Sequence, residues 1–362
     1  MSQLIVIRKK IKKFEKEINI PGDKSLSIRW VLFSSLASGI SKSKNLLISE
    51  DILAAINVVK KLGIKVILTK KFCKIYGKGM NGYKYRDNML LDAKNSGTLG
   101  RLILGLIINS TKKIKLIGDV SLSKRDFKRV ADPLSKFGAS FKMNKNNGLP
   151  LIMRGSKDLV PIKYFEKKGS AQCKSSIIFA AMRTKGKTVI KAKKSRSHTE
   201  ILCKYLKLPL KVISKKNFDL IKVNKVKKID PLNYNIPSDI SSASFFLALT
   251  ALSNNSKLLI KNVNINPNRI GIVSIFRKMG ITINFRNKRV YKGEKIADVF
   301  TLSPKNIKPI NCPVNLNSSA IDEFLVIFLT VAAKAKGISY FKNLSELNQK
   351  ESPRLKWAEK IL

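Results

Sequence analysis

One phrase recurs four times along this chain at a nearly constant spacing. Each copy ends an amphipathic helix, places a helix breaker, and then alternates apolar and polar residues as a strand does. The breakers are Gly63, Gly138, Pro209 and Gly280, which lie 75, 71 and 71 residues apart. A tandem repeat of this length predicts an architecture in which one structural unit is built several times and the copies pack together.

A second helix precedes the amphipathic helix in each repeat. We expect these earlier helices to start near Ser25, Thr98, Ala171, Ser241 and Asp322. The helices themselves are apolar on nearly every side, as in residues 177–182, 245–252 and 324–333, so they should be buried. The amphipathic helices should lie on the outside. We therefore predict an α/β protein whose unit is strand, buried helix, strand, outer helix, strand, strand.

Length and composition bound the classes of function. With 362 residues, of which 44% are hydrophobic, the chain can form two domains with sizeable cores. Its formal net charge of +49 would attract nucleic acid, anionic membranes or acidic metabolites alike. The basic residues are, however, spread evenly along the sequence, which fits a compositional drift of the coding sequence. Charge alone therefore selects no partner.

The cysteines and the single histidine, His198, form no metal-binding pattern. Cys73, Cys173, Cys203 and Cys312 lie far apart, so we expect neither a metal site nor a disulfide framework, and this usage fits a reducing cytoplasm. The apolar runs at residues 4–7 and 324–333 are too short for a signal peptide and for a membrane span. We expect a soluble, cytoplasmic protein that does not enter a membrane.

Polar residues gather where the buried helices begin. The first helix has Lys24, Ser25 as its expected cap, and Arg29, and a helix N-terminus with a lysine beside it favours phosphate or carboxylate. Similar groups stand at residues 95–101, 169–174, 195–199, 237–242 and 321–323. Helix capping alone would also explain each hydroxyl. If the helices pack side by side, however, these starts converge on one anion-binding cleft.

Several long phrases in this order resemble the 5-enolpyruvylshikimate-3-phosphate (EPSP) synthase family. The matching phrases are residues 21–29, 91–101, 118–125, 170–172, 195–200, 266–269 and 350–354, and the likeness covers essentially the whole chain. The Ser-Ala-Gln phrase at 170–172 and the Arg-Ser-His-Thr-Glu phrase at 196–200 are similar to the second, less common class of the family.

The resemblance implies the enolpyruvyl transferase fold, with two domains of repeated βαβαββ units, an inside-out α/β barrel. One domain would be residues 21–235, and the other residues 1–20 with 236–362. The implied reaction transfers the enolpyruvyl group of phosphoenolpyruvate to the 5-hydroxyl of shikimate 3-phosphate and releases phosphate, as a step toward chorismate and the aromatic amino acids. It needs no metal or organic cofactor, and we expect a monomer without a specific nucleic-acid partner.

The resemblance also assigns roles to residues. The implied phosphoenolpyruvate clamp is Lys24, Arg125 and Arg354, with Asn95, Gly97 and Thr98 lining that pocket. Shikimate 3-phosphate would be held by Ser25, Arg29, Ser170 and Arg196, with Gln172 near its ring. Asp322 would stand beside the reacting hydroxyl, and Glu351 would carry a proton to carbon. The glycine at position 97 also implies sensitivity to glyphosate, which occupies the phosphoenolpyruvate pocket in the family.

Simpler interpretations and departures from the family pattern stay open at this point. Asp322 and Glu323 could cap a buried helix, and Glu351 with Arg354 could be a helical ion pair. Pro353 replaces the family's usual Asp, and the sequence lacks roughly one further unit that the family has. We therefore expect an incomplete second domain with little activity. The alternatives are an inactive truncated fragment of this fold or a basic nucleic-acid-binding protein.

Overall fold

The structure, a computed structural model, describes residues 6, 11–349 and 352–362. Within them the repeat appears as four sheets of four strands with a common order. In each sheet the first strand of a unit pairs in parallel with the second, the second pairs antiparallel with the fourth, and the fourth pairs antiparallel with the third. The predicted unit is therefore confirmed.

The four sheets are β13-β2-β4-β3, β5-β6-β8-β7, β9-β10-β12-β11 and β1-β14-β16-β15. The strands are β1 (Glu15–Ile18), β2 (Ser38–Lys44), β3 (Lys65–Leu68), β4 (Cys73–Lys78), β5 (Met89–Asp92), β6 (Lys113–Ile117), β7 (Ser140–Lys142), β8 (Leu151–Arg154), β9 (Lys163–Glu166), β10 (Thr188–Lys193), β11 (Leu210–Ser214), β12 (Phe218–Val223), β13 (Tyr234–Asn235), β14 (Lys257–Asn264), β15 (Ile283–Tyr291) and β16 (Glu294–Leu302). 

The α-helices connect these strands and continue beyond the last sheet. They are α1 (Lys24–Leu36), α2 (Glu50–Lys61), α3 (Gly97–Leu106), α4 (Val120–Ser123), α5 (Lys128–Ser135), α6 (Ala171–Ala181), α7 (His198–Tyr205), α8 (Ile240–Leu252), α9 (Gly271–Lys278), α10 (Asn317–Ala320), α11 (Phe324–Val326) and α12 (Arg354–Ile361).

Among the described residues, the buried hydrophobic side chains form two clusters. One runs from Leu26 to Ile236, and we call the part of the chain around it the first lobe. The other contains Ile20 and runs from Ile240 to Ala358, in what we call the second lobe. The lobes exchange strands, because β1 pairs with β14 of the second lobe and β13 pairs with β2 of the first. The chain therefore crosses between the lobes just before α1 and just before α8.

In the first lobe α1, α3 and α6 are buried around nearly their whole circumference, as their sequences predict. Phe33 of α1 packs against Phe179 of α6 with ring centroids 5.1 Å apart. Helices α3 and α6 approach so closely that a Cβ atom on Gly105 would lie 2.1 Å from the carbonyl oxygen of Ser176. This packing holds the starts of the three helices in fixed positions.

The prediction of complete burial is wrong for α8. Phe245 is 64% exposed and Phe246 is 39% exposed, because the described part of the chain places no helix against that side. The apolar run 324–333 also differs from the expected single helix. It consists of α11, a π-helical turn at Ile327–Val331 and a 3₁₀ turn at Ala332–Lys334.

No single helix of the described residues is long and apolar enough to cross a bilayer. One bent pair of helical segments, Val314–Ala320 and Phe324–Lys334, is long and apolar enough only when the two segments are taken together. Its apolar residues Ala320, Phe324, Ile327 and Val331 are fully buried in the second lobe.

Candidate active site

The start of α1 presents a lysine beside a carboxylate. Asp23, not Ser25, caps this helix, since its Oδ1 accepts a hydrogen bond from the Leu26 amide at 2.9 Å. Aspartate is as good a cap as serine, so the sequence allowed either choice. Lys24 is the first helical residue, and its ammonium lies 2.9 Å from Asp51 Oδ2 at the start of α2. The Lys24 side chain is 41% exposed and therefore accessible to a ligand.

A buried arginine joins the starts of α1 and α8, which belong to different lobes. Arg269 donates to Asp23 Oδ2 at 3.0 Å and to Asp239 Oδ1 at 3.0 Å. Asp239 also accepts from the Lys24 amide at 3.0 Å. Burial opposes the charge of Arg269, but Asp23, Asp239 and Glu323 together raise its pKa above the ordinary value. The position of Lys24 is thus fixed from both lobes.

Arg29 lies one turn farther along α1 and is almost fully buried. Its guanidinium donates to Thr199 Oγ1 at 2.7 Å, to the carbonyl oxygen of Ser25 at 3.0 Å and to Ser175 Oγ at 3.1 Å. Burial lowers the pKa of Arg29 to about 10, although Glu200 opposes this shift. The guanidinium therefore links the starts of α1, α6 and α7, all of which the sequence predicted to lie at the site.

The start of α3 brings together the predicted residues Asn95, Gly97 and Arg125. Arg125 Nη2 donates to Asn95 Oδ1 at 3.0 Å, and Asn95 Nδ2 donates to Asp119 Oδ2 at 2.5 Å. Gly97 faces two guanidinium groups, since a Cβ atom there would lie 3.0 Å from Arg125 Nη1 and 3.1 Å from Arg101 Nη1. Both arginines thus reach the helix start that was predicted to bind an anion.

Thr98, Gln172 and Arg101 connect the starts of α3 and α6. Gln172 Nε2 donates to Thr98 Oγ1 at 2.9 Å, and Arg101 Nη1 donates to Gln172 Oε1 at 2.6 Å. Burial lowers the pKa of Arg101 to about 10, and Arg129 and Arg125 add to this shift. The role of Arg101 was open in the sequence. In the structure it orients Gln172.

Ser170 caps α6, as the sequence predicts. Its hydroxyl accepts from the Cys173 amide at 3.2 Å, while its own amide donates to Glu166 Oε2 at 2.9 Å. Four residues farther along, Lys174 is fully buried and its ammonium lies 2.6 Å from Glu200 Oε1. This ion pair was not foreseen, and it ties α6 to the start of α7.

Asp322 stands between two arginines that the sequence places far apart. Arg196 Nη2 of the first lobe lies 2.5 Å from Asp322 Oδ2, and Arg354 Nη1 lies 3.5 Å from Asp322 Oδ1. Three predicted site residues are therefore in direct contact across the two lobes. The fourth predicted residue of this region, Glu351, lies outside the described residues.

Next to Asp322, Glu323 is a buried carboxylate that sequence reasoning considered only as a helix cap. Its Oε1 accepts a hydrogen bond from Ser241, and no hydrogen-bond donor among the described residues reaches its Oε2. Burial raises the pKa of Glu323 to about 7, and the charge of Asp322 adds to this shift. A carboxyl group of this kind titrates near neutral pH at the edge of the site.

The contacts form one continuous series from Arg125 to Arg354. It passes through Asn95 and Gly97, the Arg101–Gln172 bond, the start of α6, Arg29, residues 196–200 and Asp322. Sequence reasoning missed Asp51, Ser175 and Glu294, each of which contacts a residue at least 27 positions away in the chain. Since no local pattern marks such a partner, only the folded structure identifies them.

This architecture belongs to the enolpyruvyl transferase class. The enolpyruvyl transferase NikO from Streptomyces tendae matches with a TM-score of 0.69 over 90% of this chain and 75% of that chain, at 12% sequence identity. An identity this low shows the fold alone.

Sequence identity narrows the class to one family. The family model described as EPSP synthase (3-phosphoshikimate 1-carboxyvinyltransferase) matches residues 8–360. The 3-phosphoshikimate 1-carboxyvinyltransferase of Sulfurihydrogenibium sp. (strain YO3AOP1) is 38% identical over 350 residues, which cover 96% of this chain and 80% of that protein. The corresponding protein of Caldicellulosiruptor saccharolyticus is 38% identical over 353 residues, covering 97% of this chain and 80% of that protein.

A solved structure agrees. EPSP synthase from Acinetobacter baumannii matches with a TM-score of 0.85 and 32% identity, over 96% of this chain and 78% of that chain. The chain belongs to the EPSP synthase family. The enzymatic function expected from the resemblance, enolpyruvyl transfer in the shikimate pathway, is thereby confirmed. The alternatives of an inactive fragment and a basic nucleic-acid-binding protein are not favoured.

Proposed function

We propose that the series of contacts from Arg125 to Arg354 binds phosphoenolpyruvate and shikimate 3-phosphate and transfers the enolpyruvyl group between them. The observation that carries this proposal is the contact of Arg196 and Arg354 with Asp322, since it joins cations for two anionic substrates to a carboxylate beside the reacting hydroxyl. Each substrate carries a phosphate and a carboxylate, so a site rich in guanidinium groups is the matching chemistry.

The residues divide into two groups by position. Lys24, Arg125 and Arg354 are proposed to clamp phosphoenolpyruvate in a pocket lined by Asn95, Gly97 and Thr98. Ser25, Arg29, Ser170 and Arg196 are proposed to hold shikimate 3-phosphate, with Gln172 near its ring. Arg29 already donates three hydrogen bonds to protein groups, so we expect it to offer at most its remaining N–H groups to the ligand.

Asp322 is proposed to accept the proton of the reacting hydroxyl while the hydroxyl oxygen bonds to C2 of phosphoenolpyruvate. Glu351 is proposed to deliver a proton to the methylene carbon, which gives a saturated adduct that carries a methyl group. The Glu351 carboxylate then takes a proton back from that methyl group, the C=C bond re-forms, and the C–O bond to phosphate breaks. The cations nearby stabilise the negative charge on the leaving phosphate. When the phosphate of shikimate 3-phosphate binds Arg196, it competes with Asp322 for that guanidinium, so substrate binding itself would release the carboxylate for proton transfer.

The test compares two lysines that each lie 2.9 Å from an aspartate, Lys24 with Asp51 and Lys94 with Asp92. Both variants, Lys24→Ala and Lys94→Ala, remove a lysine from such a pair. We expect Lys24→Ala to lower phosphate release that depends on shikimate 3-phosphate by about 100-fold or more, and Lys94→Ala to change it by less than about twofold. A folded Lys24→Ala protein with an unchanged rate would refute the assignment.

We also propose that residues 21–235 form one domain, that residues 1–20 and 236–362 form the other, and that the enzyme is a cytoplasmic monomer. The two separate clusters of buried hydrophobic side chains support the division. A mass near 40.6 kDa in light scattering would support the monomer, and twice that mass would exclude it.

A further inference from the structure

The turn that starts α7 carries four side chains that each bind a different part of the molecule. Arg196 contacts Asp322, Thr199 accepts from Arg29, and Glu200 pairs with Lys174. The remaining side chain, His198, points into the second lobe, where its Nδ1 lies 2.7 Å from Glu294 Oε1. Two of these contacts involve the arginines proposed to hold shikimate 3-phosphate. The position of this one turn therefore determines the position of both arginines.

Glu294, the first residue of β16, is fully buried and fully bonded. Its Oε1 lies against His198, and its Oε2 accepts from Asn264 Nδ2 at 3.0 Å and Asn266 Nδ2 at 3.4 Å. Burial alone would raise the pKa of Glu294, but the charge of His198 and the hydrogen bonds from His198, Asn264 and Asn266 lower it below the ordinary value. Glu294 is thus a carboxylate, and His198 Nδ1 donates to it.

The hairpin before Glu294 is itself fixed against the first lobe. Tyr291 stacks on Tyr234 with ring centroids 5.5 Å apart, and Lys292 Nζ donates to the Tyr205 hydroxyl of α7 at 2.8 Å. Gly293 has a φ of +85° and packs so closely on α7 that a Cβ atom would lie 2.8 Å from Ile201 Cγ2. The hairpin therefore contacts the first two turns of α7 and presents Glu294 to His198 from a fixed position.

The α7 start lacks the usual local support. Ser197 stands at the cap position, but its side chain makes no capping hydrogen bond in the part of the chain that the structure describes. His198 Nε2 likewise has no hydrogen-bond partner among the described residues. The contact with Glu294 is thus the one hydrogen bond of the buried imidazole, and its loss would leave both ring nitrogens without a partner. A buried group in that condition is unstable, so the turn would shift.

We propose that Glu294 is a positioning residue of the site: acting through His198, it fixes the turn 196–200 and so places Arg196 and Arg29 for shikimate 3-phosphate. This inference rests on the proposed function, because it assumes that those arginines bind that substrate. Glu294, a residue of the second lobe, thus sets the affinity for shikimate 3-phosphate and not that for phosphoenolpyruvate. In enzymes, a misplacement of about 1 Å caused by a distant substitution can cost as much as about 100-fold in rate.

The experiment compares Glu294→Ala with Asp298→Ala. Asp298 lies on the same strand and is nearly as buried, and its carboxylate accepts from the Asn262 amide and from Asn287 Nδ2, not from α7. We expect Glu294→Ala to raise KM for shikimate 3-phosphate by about tenfold or more, with a smaller change in kcat and in KM for phosphoenolpyruvate. Asp298→Ala should leave both KM values within about twofold. Equal effects of the two variants on KM for shikimate 3-phosphate would overturn the proposal.

Glu294→Gln provides a second variant in case the alanine protein does not fold. Glutamine keeps an oxygen that can accept from His198 Nδ1, so we expect its KM for shikimate 3-phosphate to lie between those of the wild type and Glu294→Ala. If the glutamine variant folds and raises neither KM, the carboxylate has no positioning role. A general loss of active protein would lower kcat without changing KM, so it is distinguishable from both results.

A double variant separates this inference from the proposed function. If Arg196→Ala leaves KM for shikimate 3-phosphate unchanged, the substrate assignment itself is wrong. If Arg196→Ala raises that KM but Glu294→Ala does not, only the positioning inference fails. If both single variants raise KM for shikimate 3-phosphate, the double variant should raise it by less than the product of the two separate increases, because Glu294 acts partly through Arg196. An increase equal to the full product would show that Glu294 and Arg196 act independently, which would contradict the proposal.

Discussion

The two lobes carry related sequences but bury them to different extents. In the first lobe Phe179 of α6 is fully buried against α1, whereas in the second lobe Phe245 of α8 is 64% exposed. The lobes also differ in their buried glutamates. In the first lobe Glu200 Oε1 lies 2.6 Å from the Lys174 ammonium, whereas in the second lobe Glu323 accepts a hydrogen bond from the Ser241 hydroxyl and has a raised pKa. An apolar helix is thus buried only where neighbouring helices surround it, and in the first lobe such a neighbour also places a cation beside the buried glutamate.

The largest expected difference between the lobes concerns these phenylalanines. Phe179→Ala removes a fully buried ring and should lower the free energy of unfolding by about 3–5 kcal/mol. Phe245→Ala removes a ring that is mostly in water and should change it by no more than about 0.5 kcal/mol. Urea denaturation of both variants measures the contrast. Similar losses for the two would mean that α8 is covered in solution.

The buried Glu323 should make the free energy of unfolding depend on pH. Because the folded pKa of Glu323 is about 7 and its ordinary value is 4.5, the folded protein binds the proton more tightly than the unfolded chain. The contribution to stability is therefore complete below about pH 4.5 and is lost as the pH rises toward 7. Glu323→Gln stays neutral, so its stability relative to the wild type should increase from pH 5 to pH 8, by an amount on the order of 3 kcal/mol for the full shift.

Glu200→Gln is the matched control. It leaves the buried Lys174 ammonium without its carboxylate, so it should lower stability by about 3–5 kcal/mol at pH 7. Thermal or urea unfolding at several pH values measures both variants. If Glu323→Gln destabilises the protein equally at pH 5 and pH 8, Glu323 is ionised throughout and the contrast between the lobes fails.

In the first lobe, a substitution at Gly97 should have a smaller effect, and that effect should be on substrate binding. A Cβ atom there would lie 3.0 Å from Arg125 Nη1, so Gly97→Ala requires the guanidinium to move by a few tenths of an ångström. We expect KM for phosphoenolpyruvate to rise severalfold, with a larger loss of glyphosate inhibition because the inhibitor is bulkier. Gly138→Ala is the control for backbone strain, since its φ is +108° and a Cβ atom there would lie no closer than 3.4 Å to another residue. Unchanged kinetics for phosphoenolpyruvate and glyphosate would place Gly97 away from the pocket.

Much of the fold could be predicted from the sequence, because each unit is encoded by local signals. The breakers Gly63, Gly138 and Gly280 have φ values of +88°, +108° and +85°, a conformation that favours glycine, and a strand begins within a few residues of each. The starts of α3 and α6 were also predicted, since Ser96 and Ser170 cap them. Such features depend on residues close together in the chain.

The features of the fold and site that could not be predicted depend on residues that are distant in sequence. Ser25 was the expected cap of α1, but Asp23 takes that position because its second oxygen also binds Arg269. The exposed side of α8 was missed because apolarity predicts burial without specifying what covers the helix. The contact of His198 with Glu294 spans 96 residues and has no sequence signature. The predicted roles of the site residues, including Glu351, remain predictions.

The most direct test of the account concerns Asp322, which joins the cations of the two lobes. Asp322→Asn keeps the size of the side chain but removes the base, so isothermal titration should still show binding of shikimate 3-phosphate while phosphate release from phosphoenolpyruvate falls by about 100-fold or more. Asp230→Asn, at an exposed aspartate paired with Lys228, should change neither quantity. Wild-type turnover by a folded Asp322→Asn protein would contradict a site built from both lobes around this carboxylate.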